Sequence, residues 1–565
     1  MSFELETEFR SAKAPGPGRV RLYLLRLAVL GLTAPLLWSC APIATVEETS
    51  PGLPAAVTQP DASPEMKKAR LMAESATALI QSDPKEAMAE SETAAQLSLN
   101  ASKTLPAAQS GQAIALYNYS VARLVEAILQ SGEKPWEHSV RLAGPDGPVN
   151  LTMIDQSGGS WVPQTDQLLA TDRMEIGGTY FPDRVRIEGV GIPLVSKGPG
   201  RTEPWSPDKH YFGVTALARI SGPECAIQIC DPGLTPTTNL AGKASPLAAD
   251  FSAPMALGIK EEQPQKFGLL ALLRTDRYIQ AAKLMMVEPY RPHRQPIILV
   301  HGLMDSPITW TPMINALNAN PEIRRKYQVW VFRYPSGLPF PLSASLLRQE
   351  LAAVYQKYPA TPKAILIGHS MGGLLAHMLI CDSGNDFCQD VLGKPLDQFP
   401  VEPDELATLK GALYFKTSPY VAEAIFMSTP HRGAQMASNP LGRLGAALIR
   451  LPGNLVTMGP KVIGRMNETE GEALLRRFPN SIDTLRPEAR VVKALNELKI
   501  TSAIPYYSII GDRGRGDGLQ SSDGVVAYES SHLDGAKSEL IVPSDHTVHQ
   551  NPQAIAEVQR ILSAP

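Results

Sequence analysis

The C-terminal half of the chain predicts an α/β fold, a mostly parallel sheet covered by helices on both faces, on three observations. Short, almost uninterrupted apolar runs recur at 296–304 (PIILVHGLM), 327–333 and 363–367. Helix-length stretches separate them, most plainly at 342–358. The run at 363–367 passes directly into a glycine-rich turn, 368–373 (GHSMGG), and then into an apolar helix at 374–380. Strands that are apolar at every position are buried on both faces, and their alternation with helices is the pattern of parallel crossover units.

Composition sets the frame for the remainder. A chain of 565 residues is too long for one ordinary domain. Hydrophobic residues make up 44% and charged residues 19%, which excludes a polytopic membrane protein, a collagen-like fibre and a mostly disordered chain. The 53 Lys and Arg against 56 Asp and Glu leave a net charge of −3. No positive excess tracks a phosphate backbone, so nucleic acid is not an expected partner.

Taken in order, the first 26 residues carry Lys13, Arg19, Arg21 and Arg26, and residues 27–39 are apolar. A basic segment before an apolar run too short to span a bilayer comfortably reads as a secretory signal. Its end, Leu37-Trp38-Ser39-Cys40, resembles the lipobox of bacterial lipoproteins. That resemblance implies lipidation of Cys40 after cleavage. With Ala41 following, it also implies an outer-membrane lipoprotein of the bacterial cell envelope, its soluble body tethered to the membrane by the lipid. Of the five cysteines, four remain, in the close pairs Cys225/Cys230 and Cys381/Cys388. Both pairs are disulfide candidates in an oxidising compartment. A four-Cys zinc site is the competing reading, at spacings wider than the usual C-x2-C and across two domains.

Residues 41–63, rich in Pro, Ala and Thr, predict a flexible tether. Residues 64–133 predict a helical segment of two or three amphipathic helices. Within it MAESATA at 72–78 returns as MAESETA at 88–94, around a Ser82-Asp83-Pro84 turn. Residues 134–290 predict a β-rich domain from short apolar runs between Gly and Pro turns, at 184–195, 211–220, 267–273 and 283–289. No cluster in it points to a chemistry.

The chemistry lies in 291–565. Gly368-His369-Ser370-Met371-Gly372-Gly373, with a strand before and a helix after, is the context of a sharp turn that lifts a serine hydroxyl above a sheet. Together with Val300-His301-Gly302-Leu303 and Ser428-Thr429-Pro430-His431-Arg432-Gly433, it makes this half of the chain resemble an α/β-hydrolase of the bacterial lipase and esterase kind, close to the GPI-inositol-deacylase-like serine hydrolases. The resemblance implies the order serine, acid, histidine. Ser370 is then the nucleophile. Asp512, Asp517 and Asp523 all follow the strand-like 505–511, and Ser522-Asp523-Gly524-Val525-Val526 is similar to the lipase acid context, so Asp523 is the expected acid. Asp512 and Asp517 lie in a Gly/Arg-rich loop suited to turns. His546, just after the apolar 539–543, is the expected base, with His549 as the alternative. The backbone amides of Leu303 and Met371 are implied as the oxyanion donors, while His301, His369 and His431 fall at supporting positions of the motifs.

A lid-like insertion spans about 430–488. Its apolar stretch 440–458, carrying Arg443 and Arg450, reads either as a mobile cap that touches lipid or as a packed cap helix. A metal reading of His546 and His549 lacks an evident third ligand, and the resemblance implies no metal or organic cofactor. The expected function is a serine carboxylester hydrolase acting on an ester or lipid. The alternatives are acyl transfer or amide cleavage by the same triad, or a non-catalytic envelope scaffold, since a fold alone does not establish an activity.

Overall fold

The structure, a computed structural model, describes residues 41–57, 63–144, 147–240, 242–463, 478–514 and 521–564. Cys40 and the leader before it, and Asp517, lie outside the described residues.

Three helices, Pro64–Leu79, Pro84–Thr104 and Ala107–Ser131, form the helical segment. The first two begin on capping side chains followed by proline: Ser63 accepts the Met66 N–H at 3.2 Å, and Asp83 accepts the Glu86 N–H at 3.2 Å. The third helix lies on the N-terminal sheet, where the Tyr117 hydroxyl donates to Ala218 O at 2.7 Å and accepts the Ala218 N–H at 2.8 Å. That sheet has six strands in the order Val140–Gly144, Gly147–Gln156, Glu224–Cys230, Lys209–Ser221, Ile192–Pro199, Gln167–Ala170.

Four features differ from the sequence expectation. The run 283–289, expected in the β-rich domain, supplies Lys283–Met286 as the edge strand of the α/β sheet. Within the expected tether, Thr45–Glu48 is a strand paired antiparallel with Met174–Gly177, and the Val46 carbonyl accepts from Lys260 Nζ at 2.6 Å. The apolar run 267–273 belongs to a helix, Gln265–Leu273. It contains no β-branched residue, and Leu and Ala favour helix where periodicity alone is ambiguous. The expected disulfides are absent, and all four described cysteines are free and buried. Cys225 and Cys230 stand five positions apart on one strand; at about 3.3 Å per residue they are far beyond the reach of a disulfide. The Cys381 thiol instead donates to His377 O at 3.2 Å, and Cys388 sits apart on helix Asp386–Leu392.

The α/β unit is built on seven strands: β1 (Lys283–Met286), β2 (Gln295–Val300), β3 (Tyr327–Arg333), β4 (Ala364–His369), β5 (Val421–Met427), β6 (Tyr506–Asp512) and β7 (Glu539–Pro543). Their order is β1-β3-β2-β4-β5-β6-β7. All neighbours are parallel except the edge strand β1, which runs antiparallel to β3. Both faces are covered, which is why these strands read as continuous apolar runs. Ile298 and Val300 face a core with helices Phe340–Lys357 and Met371–His377. Ile297 and Leu299 face the opposite core with helices Thr311–Ala319 and Pro552–Ser563.

Candidate active site

β4 ends at His369, and the chain turns into helix Met371–His377 through Ser370, whose backbone sits at φ 53°, ψ −125°. This is a strained conformation for a residue with a side chain, and it persists only where the surroundings enforce it. Two glycines allow the close packing. A Cβ on Gly372 would lie 2.2 Å from Val300 O, and one on Gly302 would lie 2.9 Å from Ser370 Cβ. β4 and the end of β2 thus meet at the serine with no side chain between them.

Asp523 and His546 arrive from the loops after β6 and β7. His546 Nδ1 lies 2.7 Å from Asp523 Oδ2, and His546 Nε2 lies 2.9 Å from Ser370 Oγ. Asp523 is wholly buried. Its other oxygen accepts the backbone N–H groups of Val525 at 2.9 Å and Val526 at 2.8 Å. Burial alone would raise its pKa, but the hydrogen bonds from His546 and these two amides hold it below the ordinary carboxylate value. An ionised Asp523 accepts a hydrogen bond from His546 Nδ1–H, which leaves a lone pair on Nε2 facing the Ser370 hydroxyl.

A second set of rings backs this line. His369 Nε2 donates to the backbone carbonyl of His546 at 2.7 Å. Its ring packs 4.1 Å from that of His549, which in turn lies 4.9 Å from Trp310. Burial drives His369 well below the ordinary imidazole value, His549 down to about 3 and His301 to about 4. Asp305, whose Oδ2 lies 3.9 Å from His369 Nδ1, is pushed up to about 7 by burial, against hydrogen bonds from the Ser306 N–H and the Thr309 hydroxyl. One ligand-type atom from each of Asp305, His369 and His549 falls within 4.8 Å of the others. His369 Nε2, however, is already committed to the His546 carbonyl, and the His369 and His549 rings pack against each other.

The expected acid and base are therefore brought to Ser370; of the alternatives, Asp512 and His549 are not, and Asp517 lies outside the described residues. Asp512 accepts the Gly514 N–H at 2.8 Å, a turn contact. His549 is buried behind His369. Met371 opens the helix after the serine, and Leu303 lies in the turn after β2; neither amide N–H has an acceptor among the described residues. Sequence reasoning passed over two residues. Asp305 carries no local signal. Arg432, within the Ser428–Gly433 motif, donates to Glu529 O at 2.6 Å and His532 O at 2.7 Å, which ties the end of β5 to the segment carrying Asp523.

In the lid region, helices Pro440–Leu448 and Gly453–Ile463 bury Ala446, Leu455 and Met458 and leave Leu441, Leu444 and Val456 exposed. Lys461 pairs with Glu405 at 2.8 Å, fastening the second helix to helix Pro403–Leu413.

Residues 297–558 match the family model described as Alpha/beta hydrolase family. No curated protein sequence matches the chain. Among solved structures, a mature lipase from Bacillus licheniformis is 15% identical, with 50% of this chain and 98% of that one covered and a TM-score of 0.30. Lipase 1 from Pelosinus fermentans is 15% identical over 48% of this chain and 100% of that one, with a TM-score of 0.30. An esterase from Rhodococcus is 16% identical over 50% and 94%, with a TM-score of 0.26. Likeness at this level carries no argument about substrate.

Proposed function

We propose that the chain, whose residues 297–558 match the Alpha/beta hydrolase family model, is a serine carboxylester hydrolase with Ser370 as nucleophile, His546 as base and Asp523 as the acid that orients it. The observation that carries this reading is the unbroken hydrogen-bonded line from buried Asp523 through His546 to Ser370. His546 Nε2 takes the Ser370 proton as Oγ attacks the acyl carbon. The negative charge that develops on the carbonyl oxygen is met by the N–H groups of Leu303 and Met371, each such donor lowering the barrier by about 3–4 kcal/mol. His546 returns its proton to the leaving oxygen, which frees the alcohol. Water, deprotonated by the same nitrogen, then releases the acid from Ser370.

The exposed apolar residues of the lid helices support a substrate with an acyl chain. The basic and apolar leader ending at Cys40 supports a lipid-anchored enzyme of the bacterial envelope.

The test is a fluorophosphonate probe with peptide mapping, beside p-nitrophenyl esters of increasing acyl length. The expected result is a single adduct on Ser370, absent in His546→Ala, with hydrolysis that depends on chain length. A folded protein that takes no label and cleaves no ester overturns the reading.

A further inference from the structure

A cavity of about 500 Å3 lies between the N-terminal sheet and the α/β unit, and none of Ser370, Asp523 or His546 lines it. It runs the length of β3. The alternate residues Tyr327, Val329, Val331 and Arg333 form its floor, beside Met285 of β1. Successive same-face residues over this strand span about 20 Å at roughly 3.3 Å per residue. The roof is helix Ser252–Glu262, which contributes Pro254, Met255 and Ile259. Val329 and Val331 remain buried, but helix Ser252–Glu262 from the preceding domain covers this strand without filling the space above it.

The charges at its rim do not balance. Four acids line the cavity, and each has its own cation: Asp231 with Arg291 at 2.5 Å, Asp250 with Arg184 at 2.6 Å, Glu262 with Lys209 at 2.7 Å and Glu288 with Arg294 at 3.4 Å. Two arginines remain without a carboxylate among the described residues, Arg324 before β3 and Arg333 at its end. Arg333 donates to Ala281 O at 3.2 Å and has Asp208 as a counter-charge nearby. Arg324 donates to Asn318 O and lies 4.5 Å above the Phe251 ring. The charge it feels is that of another cation, Arg294. A half-buried guanidinium of this kind lacks an anion.

We propose that this channel binds one free long-chain carboxylate, its head on Arg324 and its chain along Val329, Val331 and Met285. A mostly apolar cavity laid along β3, with Arg324 at one end and no carboxylate on it, matches a linear chain with one negative head, and interfaces between domains are where such sites occur. The site stands on its own geometry, although a long-chain acid is also what cleavage of a lipid ester releases. It shares one stretch with the active site: Asp305 faces His369, while Ser306, Pro307 and Ile308 form a wall of the channel.

Displacement of a fluorescent fatty acid by hexadecanoate, measured on the full chain after Ser370 has been capped with a fluorophosphonate, tests the proposal. Expected are one saturable site per chain, affinity about tenfold weaker in Arg324→Gln and a similar loss for hexadecanol, which keeps the chain and lacks the charge. Met255→Trp, which fills the roof, abolishes binding, and the smaller Met255→Phe weakens it; thermal melting confirms that each variant is folded. Binding that is unchanged in Arg324→Gln and in both Met255 variants overturns the proposal. So do the absence of a saturable site and displacement by phospholipid vesicles but not by the free acid. Failure of Ser370 to take the cap overturns the catalytic reading alone, because the channel is still read through the Arg324 and Met255 variants on unlabelled protein.

Discussion

Asp523 is ionised inside the protein because three donors meet it there, His546 Nδ1 and the amides of Val525 and Val526. Its depressed pKa means that its stabilising contribution is complete above the unfolded carboxylate value and is lost as pH falls through the folded one. Its orienting role is tested by Asp523→Asn. An amide at this place donates toward His546 Nδ1, which shifts the imidazole proton to Nε2, where it blocks proton removal from Ser370. Steady-state kinetics on a p-nitrophenyl ester are expected to show kcat lower by about 10³–10⁴ with KM little changed. An unchanged kcat refutes the assigned role.

The elements around the site act through their ends. β5 delivers Ser428, whose hydroxyl accepts the Gly511 N–H at 3.1 Å, and beyond it Arg432. Its two bonds to Glu529 O and His532 O bracket the short helix Tyr528–Ser531, and the Ser530 hydroxyl donates to Gly433 O at 2.6 Å. The acid therefore holds its place through a clamp between two loops, besides its own bonds. Arg432→Ala is expected to raise amide exchange across 523–532 and to lower kcat about tenfold, as the loss of one to two charge-assisted hydrogen bonds would. Exchange indistinguishable from wild type removes the clamp.

Across the molecule, five buried histidines share one direction of shift. His301 and His377 are lowered to about 4, His549 to about 3, and His369 and His431 well below the ordinary value, in each case chiefly by burial. Asp305 and Glu92, each pushed up to about 7 by burial, oppose them. Below the ordinary imidazole value near 6.5 the unfolded chain gains protons that the folded histidines refuse, so their contribution to stability falls as pH drops toward 4. These two carboxyls act in the opposite sense, and so do Asp172, Glu288 and Glu423, also raised by burial, whose smaller shifts act at the acid end of the range, near their ordinary values. Denaturation midpoints are expected to fall between pH 6.5 and 4, and each histidine contributes on the order of 1.4 kcal/mol per pH unit while it is undersaturated. His377→Gln, at the opposite end of helix Met371–His377 from Ser370, is expected to flatten that slope, and a slope identical to wild type counts against the assignment.

The α/β fold, and the three residues that meet at the candidate site, were legible in the sequence because their signals are local. Strands buried on both faces are apolar at every position, Gly372 is required by the approach of Val300 O, and a serine in a strand–helix turn, an acid after β6 and a histidine after β7 follow one another along the chain. The cysteine pairing was misread because spacing says nothing of direction: in an extended strand, five positions carry two thiols apart. Helix Gln265–Leu273 was misread because a short apolar run has no period that separates strand from helix. What only the tertiary structure decided is contact between distant segments. The seat of His369 against the His546 carbonyl, the Arg432 clamp and the channel under helix Ser252–Glu262 join residues that lie about 70 to 180 positions apart along the chain. Such contacts depend on packing and charge balance in three dimensions, to which no neighbouring residue in the chain bears witness.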